Sequence, residues 1–70
     1  MKQHTFKNSS QVKEIRYFET SFILEIDFTS GKSYEYFEVP PEVFDEAIKA
    51  ESIGKFINSN VKNKFNYKPL

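Results

Sequence analysis

The clearest periodicity in the 70-residue chain is the stretch FILEIDF at positions 22–28. Phe22, Leu24, Ile26 and Phe28 fall on one side at a period of two, and Ile23, Glu25 and Asp27 fall on the other. That pattern predicts a strand with one buried face. Upstream, Val12 to Phe18 reads as a strand whose apolar positions do not strictly alternate, with Glu19-Thr20-Ser21 as the turn between the two. Downstream, Thr29-Ser30-Gly31-Lys32 is a turn and Ser33 to Val39 a third strand. Two hairpins in succession make an antiparallel meander.

The period then changes. Pro40-Pro41 ends the third strand, because proline cannot donate to a ladder but fits the first turn of a helix. Over Glu42–Glu51, the residues Val43, Phe44, Ala47 and Ile48 form one stripe, opposite Glu42, Asp45, Glu46 and Lys49. This is the signature of an amphipathic helix. Ser52 suits the N-cap of a second helix, from about Ile53 to Asn63, with Ile53, Phe56, Ile57 and Val61 inward. The expected architecture is α+β: a three-stranded antiparallel meander followed by two helices packed on one face. Residues 1–70 make a single domain. Residues 1–10 are expected as a flexible N-terminus, and Phe65 to Leu70 as an extended tail whose aromatics dock on the sheet.

One residue of hairpin register decides where two tyrosines point. A two-residue loop at Ser30-Gly31 sets Tyr34 opposite Asp27 and Tyr36 opposite Glu25, on the polar side. A three-residue loop with Gly31 in a bulge sets Tyr34 opposite Ile26 and Tyr36 opposite Leu24, on the core side. The bulge is favoured as a common hairpin form, although it places Glu25 against Glu35. The sequence alone leaves both registers open.

Composition narrows the chemistry. Eight Phe and four Tyr, with one Met and no Trp, give a small chain large apolar area per buried position. Without cysteine there is no disulfide framework and no thiolate metal site, and His4 stands alone, so no metal and no cofactor is expected. No serine has a histidine placed beside it by any motif, and two glycines make no phosphate loop, so catalysis is not expected. Glu25, Asp27, Glu35 and Glu38 read as solvated strand residues rather than a hard-cation site. MKQHTFKNSSQVK carries no apolar run, and no segment nears the ~20 apolar residues of a membrane span, which points to a cytoplasmic chain with no membrane contact.

The zero net charge conceals segregation. Residues 1–13 hold three lysines and no acid, residues 14–52 hold ten acids against Arg16, Lys32 and Lys49, and residues 53–70 hold four lysines and no acid. The basic ends suggest phosphate contacts through Lys55, Lys62 and Lys64, with Tyr34 and Tyr36 stacking on bases if exposed. The plainer reading makes the lysines a solvated helix face and the tyrosines core.

The ordered set Gly31, Tyr34 and Tyr36, Val39-Pro40, Ala50 and Ser52, and Gly54-Lys55-Phe56-Ile57-Asn58 resembles the KTSC domain, over about Val12 to Tyr67. The resemblance implies a domain found at the C-terminus of some lysyl-tRNA synthetases and as small stand-alone bacterial or phage proteins, with RNA binding suggested by that context. Asn63 and Lys64 stand where relatives often carry arginine, which removes bidentate phosphate recognition there. Two functions follow as expectations: a non-catalytic module binding RNA or another nucleic acid, or a protein-interaction module or homodimer. In the second, the Val12–Phe18 strand serves as an open edge for β-augmentation.

Overall fold

The computed structural model describes residues 1–70. The three anticipated strands are Val12–Phe18 (β2), Ile23–Phe28 (β3) and Ser33–Tyr36 (β4), and two more complete the sheet. Lys2–Thr5 (β1) pairs with β2, and Tyr67–Pro69 (β5) pairs with β4. The sheet therefore has five strands in the order β1-β2-β3-β4-β5, all neighbours antiparallel, rather than three. Residues 2–5, expected to be flexible, are held by backbone pairing that runs from Lys2 opposite Tyr17 to Thr5 opposite Glu14. A polar KQHT segment shows no periodicity, because this edge is joined through its backbone. The same pairing removes the expected open edge at Val12–Phe18, since β2 is bonded on both sides.

The uneven pattern in β2 has a structural cause. A register shift lies between Val12 and Glu14, so that Val12 joins Ile15 and Tyr17 in facing the core. Its partner β3 starts one residue later than the alternation implies. Phe22 lies in the hairpin loop with φ +57° and is 50% exposed, instead of sharing the buried face with Leu24 and Ile26. Its carbonyl accepts the Val39 N–H at 2.8 Å, which ties the loop to the chain entering the first helix. Left-handed backbone at a bulky residue costs roughly 1–2 kcal/mol, and Glu38 is the same way at φ +57°.

Gly31 settles the β3–β4 register. At φ +94° it closes a three-residue loop, with the Phe28 N–H on the Lys32 carbonyl and its own N–H on the Phe28 carbonyl. Leu24 faces Tyr36, Ile26 faces Tyr34 and Glu25 faces Glu35. Both tyrosines thus lie on the core side.

Pro41–Lys49 forms α1 and Ile53–Asn60 forms α2, which ends three residues before the expected boundary. Ser52 caps α2 by accepting the Lys55 N–H at 3.3 Å, and Asn63, at φ +68°, turns the chain toward β5. Gly54 lies under the Gln11 side chain, where a Cβ would collide. Phe44 and Ala47 of α1, with Ile53 and Ile57 of α2, pack with Val39 and Val61 on Val12, Ile15, Tyr17, Leu24, Ile26 and Tyr36. Both helices cover one face of the sheet. No charged residue is buried in this core, and the Tyr17 hydroxyl donates to the Val39 carbonyl at 2.5 Å. No helix is long and apolar enough to cross a membrane.

Candidate nucleic-acid interface

The parity set by the Gly31 turn sends Tyr34 and Tyr36 to the same face with different fates. Tyr36, nearer the sheet centre, is 3% exposed and belongs to the core. Burial, with Tyr67 and Tyr34 beside it, pushes its hydroxyl pKa up. Its ring offers no free surface for a base. Tyr34 is half-buried at the margin of the helices. Its ring meets Phe28 edge-on at 5.8 Å and Tyr67 edge-on at 5.6 Å. Tyr67 in turn lies 5.7 Å from Tyr36 and is 59% exposed, so it presents the open aromatic surface of this cluster.

Three concavities meet at Tyr34. One of about 270 Å³ is formed by Tyr34, Tyr36, Lys62, Asn63 and Tyr67. A second of about 370 Å³ includes Phe28, Lys32, Tyr34, Asn58 and Lys62. A third of about 460 Å³ includes Lys32, Tyr34, Pro69 and Leu70. Lys62 stands just past α2 with its Nζ 5.2 Å from the centre of the Phe28 ring, a cation–π contact that places an ammonium beside the tyrosines.

The sequence-selected lysines do not converge. Only Lys62 joins the tyrosines. Lys55, about two helical turns earlier, lines a separate cavity of about 520 Å³ with His4, Lys7 and Ser52. Lys64 is exposed beyond α2 and lines none of these cavities. Tyr67 and Lys32 were not singled out by the sequence pattern. Tyr67 reaches the site only through β4–β5 pairing, though an aromatic tail able to dock on the sheet was its visible signal.

The far face of the sheet carries the carboxylates. Arg16 donates to Asp27 at 2.8 and 2.9 Å, to Glu14 at 2.6 Å and to Glu25 at 3.1 Å. The Ser33 hydroxyl adds a bond to Asp27 at 2.7 Å. The Arg16 guanidinium holds the Asp27 carboxyl below the usual carboxylate range, and Asp27 raises the Arg16 pKa in return. Glu25 and Asp27 are thus satisfied by a guanidinium within the sheet.

A five-stranded antiparallel sheet with one helix-covered face and an aromatic–lysine cluster at its margin defines a small α+β module. The chain belongs to the KTSC domain family, whose sequence profile matches residues 8–65. It is 47% identical over 57 residues to a protein of Tsukamurella paurometabola, covering 81% of this chain and 85% of that one. It is 43% identical over 61 residues to a lysine–tRNA ligase of Trichormus variabilis, covering 87% of this chain but 11% of the ligase. The crystal structure of a KTSC domain protein from Yersinia pestis superposes with a TM-score of 0.91 at 28% identity, over 99% of this chain and 96% of that one.

Proposed function

We propose that the chain is a non-catalytic module that binds single-stranded RNA at the margin formed by β4, β5 and the end of α2. The observation that carries this reading is the meeting of three concavities at Tyr34, with Lys32 and Lys62 on their walls and the exposed Tyr67 ring beside them. Aromatic rings stack on any base, and lysines neutralise the backbone as point charges, so the binding is electrostatic and largely independent of sequence. Tyr67 is the stacking platform, Tyr34 braces it edge-on, and Lys62 and Lys32 contact phosphate. Lys55 and Lys64 add long-range attraction. The likeness to a lysine–tRNA ligase, by its name an enzyme that handles tRNA, supports RNA as the ligand.

The test is a titration of the protein with octauridylate, followed by amide chemical shifts at about 50 and 200 mM salt. Shifts at Tyr34, Lys62 and Tyr67 that collapse at the higher salt are expected, because counterion release makes such binding steeply salt-dependent. Tyr67→Ala removes a stacking contact of about 1–3 kcal/mol. Absence of shifts at the lower salt refutes the proposal.

A further inference from the structure

Opposite the helices, the β2–β3 register sets Phe18 beside Ile23, and continuing the β3–β4 pairing by one residue sets Phe37 beside Ile23. These three apolar side chains form a row across the sheet. All are half-buried, yet none packs against the core cluster. The row spans about 10 Å, the width of three strands. The next row inward is Arg16, Glu25, Glu35 and Lys68, and the next is Thr5, Glu14, Asp27 and Ser33. Across both rows four carboxylates face Arg16 and Lys68, and Lys13 lies near Asp27, which leaves an excess of one carboxylate. Arg16 takes up Glu14, Glu25 and Asp27, whereas Glu35 makes no ion pair, although it stands directly opposite Glu25.

Several features at this end of the sheet oppose folding. Phe22 and Glu38 both hold left-handed backbone, and Phe22 leaves half its ring in water. Glu25 and Glu35 repel each other across the strands. Apolar groups lie on a face without a covering layer. Local departures of this kind gather where a surface serves binding.

We infer that this open face docks a lysine- or arginine-rich amphipathic segment of another protein. The segment places its apolar side chains on Phe18, Ile23 and Phe37, and a basic residue on Glu35. Two turns of helix supply apolar side chains at i, i+4 and i+7 over about the length of the row. Glu35, the carboxylate that makes no ion pair, selects a basic flank and repels phosphate, so this surface is separate from the Tyr67 margin.

The probe is a 14-residue peptide with leucines at i, i+3, i+4 and i+7 and lysines elsewhere, beside its glutamate counterpart. Amide shifts on the full chain should appear at Phe18, Ile23, Glu35 and Phe37 with the lysine peptide and not with the glutamate one. Phe37→Ser and Glu35→Lys should each weaken the lysine peptide about tenfold, and thermal stability should hold or rise in Glu35→Lys. Equal binding of both peptides, shifts at Tyr67 instead, or unchanged affinity in both variants overturns the inference. So does a concentration-dependent dimer that Phe37→Lys abolishes, because the occupant is then a second copy.

Discussion

The two faces of the one sheet are built on opposite principles. Beneath the helices, Val12, Ile15, Tyr17, Leu24 and Ile26 are completely buried, and the polar atom of Tyr17 reaches a backbone carbonyl. On the other face, the same strands present Glu14, Arg16, Glu25 and Asp27, joined through one guanidinium whose side chain remains 20% exposed. Alternation in FILEIDF supplies both faces at once, Leu24 and Ile26 to one and Glu25 and Asp27 to the other. Stability resides on the covered face, where burial yields about 25 cal/mol per Å² of apolar surface. The open face contributes less, and its ion-paired carboxylates and half-buried Phe18 and Ile23 have no covering layer.

The largest effect should come from breaking the covered face. Ile26→Ala removes a fully buried side chain from the centre of the sheet. Truncations of this type cost about 2–5 kcal/mol, and a core of this size rarely supplies more than about 3–5 kcal/mol in all. The variant should be largely unfolded at room temperature by circular dichroism. A cooperative urea transition with an unchanged midpoint would show that the helix-covered face does not hold the fold.

Arg16→Ala is the matching break on the open face. It leaves Glu14, Glu25 and Asp27 facing one another without the guanidinium that pairs with all three. The pairs lie between surface and buried, so the expected loss is about 1–3 kcal/mol, read as a lower urea midpoint. The protein should remain folded, because the core beneath is untouched.

Acid sharpens the same contrast. The Asp27 pKa is depressed in the folded protein, chiefly by its hydrogen bonds from Arg16. Its stabilisation is complete above the ordinary Asp value of about 3.9 and is lost as pH falls from there through the depressed folded value. The melting temperature should therefore drop below about pH 4, and the drop should flatten in Arg16→Ala. An identical acid slope in both proteins would place the acid sensitivity elsewhere.

The limits of the sequence pattern follow the same division. The covered face was legible: Leu24, Ile26, Phe44, Ala47, Ile53, Ile57 and Val61 all come from periodicity, and a glycine turn pointed to the register that buries Tyr36. What escaped is set by backbone pairing rather than by apolar alternation. Lys2–Thr5 has no apolar alternation, and Tyr67–Pro69 is three residues ending in proline, so neither shows a strand signature before its partner is known. Phe22 fitted the alternation and still left the strand, because the loop closing Phe18 against Ile23 requires its left-handed turn. Of the candidate site, Tyr34 and Lys62 were legible as residue types. Their meeting with Tyr67 was not, since it depends on a strand pairing that no local pattern encodes.

The smallest effect is the most informative about the open face. Glu35 stands between Glu25 on β3 and Lys68 on β5, without an ion pair to either side. Like charges directly opposite are destabilising by a fraction of a kcal/mol, and cross-strand pairs in general contribute about 0.2–1 kcal/mol. Glu35→Gln keeps the size of the side chain and removes the repulsion, so it should raise the urea midpoint slightly, by a few tenths of a kcal/mol. A residue retained for the sheet's own stability would behave the opposite way, and a fall in midpoint would mean that Lys68 screens Glu35 more than Glu25 repels it. The sign of this one small change therefore separates a face arranged to stabilise the domain from a face arranged to meet a partner.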